Sequence, residues 1–142
     1  MKLVQHLLET KGGDTISITQ EASVFDAIKL MADHAVGSLL VMEGDKLIGI
    51  VTERDYARKV ILKGRASEQT QVGEIMTTDV LTATAEQSVD ECMTLMTEKR
   101  IRHLPVVVAD KVVGLISIGD LVQAIITDQR EEIEQLGNYI SG

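Results

Sequence analysis

The sequence predicts a mixed α+β chain, an α/β sandwich of two repeats, each of β-α-β-β-α order, and three observations carry that reading. Residues 14 to 56 overlay residues 79 to 121 at a constant offset of 65 without a gap, and 13 of those 43 pairs are identical, among them Ser23/Ser88, Met31/Met96, Val41/Val106, Gly49/Gly114 and Asp55/Asp120. Within each copy, apolar residues recur first at helical spacing and then in short strand-length runs. The composition, 44% hydrophobic and 25% charged with one proline, is that of a folded globular chain.

The elements follow in order. Leu3 to Lys11 reads as a terminal helix. Each copy then opens with a short apolar strand, Thr15 to Thr19 or Val80 to Thr84, and continues into a helix begun by Ser23 or Ser88 with an acid three residues on, Asp26 or Glu91. Val24, Ile28 and Met31, and in the second copy Val89, Cys92 and Met96, give these helices an apolar stripe that needs covering. Two strands come next, Ser38 to Met42 with Lys46 to Val51 and Leu104 to Val108 with Lys111 to Ile116, joined by Glu43-Gly44-Asp45 and by Ala109-Asp110 as hairpins. Runs such as Val106-Val107-Val108 predict strands covered on both faces. A second helix closes each copy, and the two copies are expected to pack about a pseudo-twofold axis. Lys63 to Gln71 is a polar connector, Val72 to Met76 a short helical lead-in, and Asp128 to Ile140 a terminal helix with a solvated acidic face. The expected division is 1–65 for the first repeat with its N-terminal helix and 66–142 for the second with the connector and C-terminal helix.

Charge and composition exclude several functions. Fourteen Lys+Arg against 22 Asp+Glu give a net charge of -8, which repels nucleic acid and anionic membranes at long range. Three aromatic residues, Phe25, Tyr56 and Tyr139, offer no platform for stacked bases. The single Cys92 cannot form an internal disulfide, and its place on a helical stripe suits a packed thiol better than a nucleophile. No apolar run approaches a membrane span and the N-terminus is too polar for a signal peptide, so a cytoplasmic protein is expected. Three scattered histidines and one cysteine do not assemble a metal site, no nucleotide-binding glycine motif occurs, and no enzyme chemistry is expected.

Four pairs of a hydroxyl and a carboxylate three residues on, Ser23/Asp26, Ser88/Glu91, Thr52/Asp55 and Ser117/Asp120, fit helix capping boxes. Only Thr52/Asp55 and Ser117/Asp120 follow an apolar strand and a glycine, at a strand end meeting a helix start, where ligand crevices form in open sheets. There a carboxylate can accept both hydroxyls of a ribose diol, while a side-chain hydroxyl and free N–H groups can hold phosphate. Arg102-His103 adds a guanidinium that forks onto phosphate and an imidazole able to charge partly beside it. The first copy has Gly37-Ser38 at those positions, and its own cations, Arg54, Arg58 and Lys59, align with Gly119, Gln123 and Ala124. The two clefts cannot be equivalent.

Gly49-Ile50-Val51-Thr52-Glu53-Arg54-Asp55 and Gly114-Leu115-Ile116-Ser117-Ile118-Gly119-Asp120, with Arg102-His103-Leu104-Pro105-Val106-Val107, resemble the signature of CBS motifs. From about Asp14 to Ile126 the chain is similar to a tandem CBS pair, or Bateman module. The resemblance implies a homodimeric sensor of adenosyl ligands that signals to a protein partner by changing the tilt of its two copies. By position, one cleft would use Asp120, Ser117 and Gly119 for ribose and phosphate, Arg102 and His103 for phosphate, and Val36-Gly37 beside the adenine, closed by Thr15 to Thr19. The other would use Asp55, Thr52, Arg54 and Arg58, with Ile101 and Ile50 near the base. AMP is the first expectation, with ATP, NAD(H) or S-adenosylmethionine as alternatives. A ligand-free interaction scaffold is the competing class, separable by calorimetry with those compounds.

Overall fold

The computed structural model describes residues 2–141, as two compact units, one within Met1–Asp14 and Thr82–Gly142 and the other Thr15–Leu81. This differs from the expected division at 65/66. The N-terminal helix packs in the unit of the second repeat, and residues 66–81 pack in that of the first.

The unit of the first repeat runs β1 (Ser17–Ile18), α2 (Val24–His34), β2 (Ser38–Glu43), β3 (Lys46–Thr52) and α3 (Glu53–Tyr56), then a π-helical stretch Ala57–Ile61, a 3-10 turn Ser67–Gln69 and α4 (Val72–Ile75). Strand order is β1-β2-β3, with β1 parallel and β3 antiparallel to β2. Val24, Ala27, Met31, Leu39, Val41, Val51, Val60, Val72 and Ile75 form its core. The second unit holds α1 (Val4–Lys11), α5 (Val89–Lys99), β4 (His103–Val108), β5 (Lys111–Ser117) and α6 (Ile118–Ser141) around Val4, Ala83, Val89, Cys92, Met96, Leu104, Val106, Ile116, Leu121 and Ala124. Burial pushes the Cys92 thiol pKa up, as for a packed side chain.

The repeats agree down to irregularities. Both first helices end on a left-handed residue, Ala35 (φ 53°) and Arg100 (φ 55°), and both hairpins shift register at the same place, Val41/Met42 and Val106/Val107. The opening strands are shorter than expected. Thr15 to Thr19 reduces to Ser17–Ile18, and Val80 to Thr84 to a single parallel bridge, Ala83 to Val106. The difference between copies has a cause in one residue. The Leu40 N–H donates to Ile16 O at 3.1 Å, but its counterpart Pro105 has no N–H and can only accept, from Ala83 N at 2.8 Å.

The second helices diverge too. In the first repeat it changes to π geometry, with the Leu62 N–H donating to Ala57 O, and stops at Gly64 (φ 66°). In the second it continues unbroken for 24 residues, so the separate terminal helix expected over Asp128 to Ile140 is the continuation of α6. Coverage on both faces fits β2, where Leu39, Leu40 and Val41 are all buried, but not the start of β5, where Val113 is exposed. Among the described residues no helix is long and apolar enough to cross a membrane.

Candidate functional site

All four hydroxyl/carboxylate pairs cap helices. Ser23 Oγ accepts the Asp26 N–H at 3.0 Å and Ser88 Oγ accepts the Glu91 N–H at 3.1 Å. The strand-end pairs go further, because each aspartate reaches back to its own cap backbone. Asp55 Oδ2 accepts Thr52 N at 3.0 Å, and Asp120 Oδ2 accepts Ser117 N at 2.8 Å, while Thr52 Oγ1 and Ser117 Oγ accept the Asp55 and Asp120 N–H groups at 3.1 and 3.2 Å. The reciprocal bonds fix both carboxylates where a strand ends and a helix begins.

Within the second repeat the structure brings Arg102, His103, Ser117, Gly119 and Asp120 together. His103 pairs with Ser117 across β4 and β5, and the Ile118 N–H donates to Arg102 O at 2.9 Å, closing the helix start onto the strand entry. Ile101, half-buried, precedes the strand. A Cβ on Gly119 would meet only Ser117 Oγ, at 3.5 Å, so the fold does not require glycine there; its backbone stays bare beside the cup that Arg102, His103, Ser117 and Asp120 form.

In the first repeat Glu53 N donates to Gly37 O at 3.1 Å, the equivalent closure, and Val36 N donates to Met31 O at 3.0 Å. Thr19 lies exposed just after β1, and Arg54 and Arg58 are exposed on the second helix. Asp55 is 7% exposed and engaged on both oxygens. Oδ2 also accepts Thr52 Oγ1 at 3.1 Å, and Oδ1 takes Thr77 Oγ1 at 3.4 Å and the Lys59 ammonium at 3.0 Å. A ribose diol would have to displace that network. Ser38, the counterpart of His103, is 2% exposed, and its Oγ has no hydrogen-bond partner among the described residues.

The sequence profile of the CBS domain matches residues 10–62 and 72–127. The chain belongs to the CBS-domain family. CBS-domain proteins are regulatory modules. The chain is 43% identical to the mitochondrial CBS domain-containing protein CBSX3 of Arabidopsis thaliana, over 98% of this chain and 72% of the relative. A solved CBS-domain structure from Burkholderia ambifaria MC40-6, described as a candidate signal-transduction protein, superposes with TM-score 0.87 at 53% identity, covering 90% of this chain and 96% of the other. The CBS domain pair of protein MJ0100, solved with 5′-methylthioadenosine and S-adenosyl-L-methionine, gives 0.75 at 27% identity over 90% and 98%.

In this CBS pair the two aspartates differ in their counter-ion. Lys59 serves Asp55 from one helical turn on, but the corresponding residue in the second repeat is Ala124, 4% exposed. Lys11, at the end of α1, fills the role for Asp120 instead, with Nζ 2.6 Å from Oδ2 and donating to Leu115 O at 2.5 Å. Sequence reading missed Lys11. The signal was present in the alignment of Lys59 with Ala124, which leaves Asp120 without the cation that serves Asp55 one helical turn on. Burial pushes the Asp120 pKa up, but the Lys11 ammonium and the Ser117 N–H outweigh it and hold the carboxyl below its usual range.

Partial charging of His103 is expected beside a phosphate; in the free protein its pKa is lowered. Burial first, and then the Lys11 ammonium, lower its pKa, with only Asp120 pulling the other way among the principal influences. An imidazole kept neutral by folding contributes stability at pH above about 6.5 that is lost on acidification, because the unfolded chain then binds the proton more readily. Thermal melts at pH 7.5 and 5.5 should therefore show a larger fall in Tm for the native protein than for His103→Gln. Equal falls would contradict this.

Proposed function

We propose that this chain is a non-catalytic regulatory module that binds an adenosyl ligand, AMP first among them, at the Asp120 cup of its second repeat and signals occupancy to a protein partner. The observation that carries the reading is the state of Asp120. Its carboxylate is fixed at a strand-helix junction, 25% exposed, with its described hydrogen bonds on Oδ2, beside Arg102, His103 and the open helix start at Gly119. A carboxylate so placed can accept a ribose diol, and Ser117, Gly119 and Arg102 offer groups for phosphate. The adenosyl ligands of the MJ0100 pair support the class. Asp55, engaged on both oxygens, is read as a structural cap, and Thr52, Arg54 and Arg58 with it as secondary to the binding site.

The module is further read as a homodimer. Along α6, Val122, Ile126, Ile133 and Leu136 are exposed at spacings of four, seven and three residues, a stripe suited to a second copy. Isothermal calorimetry with AMP, ATP, NADH and S-adenosylmethionine tests the ligand class: saturable heat with at least one is expected, and no heat with any would leave the scaffold reading. Sedimentation as a species of 15.5 kDa, rather than twice that, would remove the pairing.

A further inference from the structure

The lysine at the Asp120 cup comes from an element firmly seated on its unit. Val4 is fully buried, its N–H donates to Gln87 O at 2.8 Å, and Val89 N donates to Lys2 O at 3.0 Å. Two glycines allow the close approach of this segment to β5. A Cβ on Gly114 would lie 2.5 Å from Leu8 Cδ2, and one on Gly13 would lie 2.7 Å from Val113 O. The last turn of α1 is thereby pressed against the strand that ends in the cup, and the Lys11 side chain reaches Leu115 O and Asp120 Oδ2 while remaining 39% exposed.

Resting on the adenosyl reading above, we propose that Lys11 is the specificity determinant of this site: it occupies Asp120 in the free protein and selects phosphorylated adenosyl ligands over nucleosides. A ribose diol that takes the Asp120 carboxylate removes the ammonium's only described anion and leaves it with the Leu115 carbonyl alone. A phosphate on the same ligand supplies a replacement anion within reach of a tethered, flexible side chain, whereas a nucleoside supplies none. His103, held neutral in the free protein, does not duplicate that charge. The first repeat lacks the device, because both oxygens of its carboxylate are already taken, Oδ2 by Thr52 and Oδ1 by Thr77 and Lys59.

The test is calorimetry of AMP and adenosine against the native chain, Lys11→Met and Lys11→Arg. The native chain is expected to prefer AMP. In Lys11→Met that preference should shrink about tenfold, through weaker AMP binding with adenosine unchanged or tighter, and Lys11→Arg should retain most of it. An unchanged ratio in Lys11→Met, including an equal loss of both ligands, overturns the role of Lys11 and leaves the adenosyl reading standing. A native chain that binds neither these nor any other adenosyl compound overturns both.

Discussion

Asp120→Ala is expected to weaken AMP binding by about 100-fold, the loss of paired hydrogen bonds between a carboxylate and a diol, each charge-assisted and each stronger than a neutral bond. Part of the loss in such a variant could come from the helix start, since the same carboxylate caps Ser117 N. Asp120→Asn separates the two effects. It keeps one acceptor for the cap but turns toward the diol an amide NH2, which cannot accept, and no charge, so the cap should survive while affinity still falls by about tenfold or more. Asp55→Ala, measured under conditions where it remains folded, should change AMP affinity less than about threefold, because both Asp55 oxygens are committed to Thr52, Thr77 and Lys59. Equal losses for the two alanine variants would refute the assignment of the ribose to Asp120.

The fold was legible because duplication multiplies weak signals. One strand-helix-strand pattern is ambiguous, but the same pattern found twice at an offset of 65 is constrained by both copies, and the matched register shifts at Val41/Met42 and Val106/Val107 follow from it. Where the structure departs, single residues in one copy decide. Pro105 removes a donor that Leu40 supplies, shortening the opening strand of the second repeat. The stretch after Asp120 contains no residue that stops a helix until well past Asp128, so two expected helices fuse.

The site was half legible. Position relative to strand ends separated Asp55 and Asp120 from the purely capping pairs, but the state of each carboxylate depends on contacts that local pattern does not encode. Lys11 lies 109 residues from Asp120 and reaches it only because Gly13 and Gly114 let α1 press on β5. Thr77 reaches Asp55 from just beyond the short helical lead-in, in a stretch to which the sequence pattern assigns no element, held by the Ile50 and Thr77 backbone bonds at 3.0 and 2.8 Å. A periodicity of 2 or 3.6 residues carries no information about either.

The engagement that sets Asp55 apart from Asp120 makes it a keystone of its unit. Replacing it with alanine leaves the Thr52 N–H without its side-chain partner, frees Thr77 Oγ1, and deprives the Lys59 ammonium of its counter-charge beside Ile75 O. Loss of a helix cap alone costs about 1 kcal/mol, and unpairing a nearly buried carboxylate's partners adds more, discounted here because the Lys59 side chain is 44% exposed. The expected total is about 3 kcal/mol, a large share of the roughly 5–15 kcal/mol that stabilises a chain of this size, and it corresponds to a fall in Tm of about 10 °C. Asp55→Asn, which keeps an acceptor for Thr52 N but not the ion pair, should lose about half as much. Lys59→Met should lose the least, because Asp55 retains its bonds to Thr52 and Thr77. Urea denaturation of the three variants checks the order. If Asp55→Ala costs less than about 0.5 kcal/mol, the network is not a structural one, and Asp55 regains its standing as a second ligand-binding carboxylate.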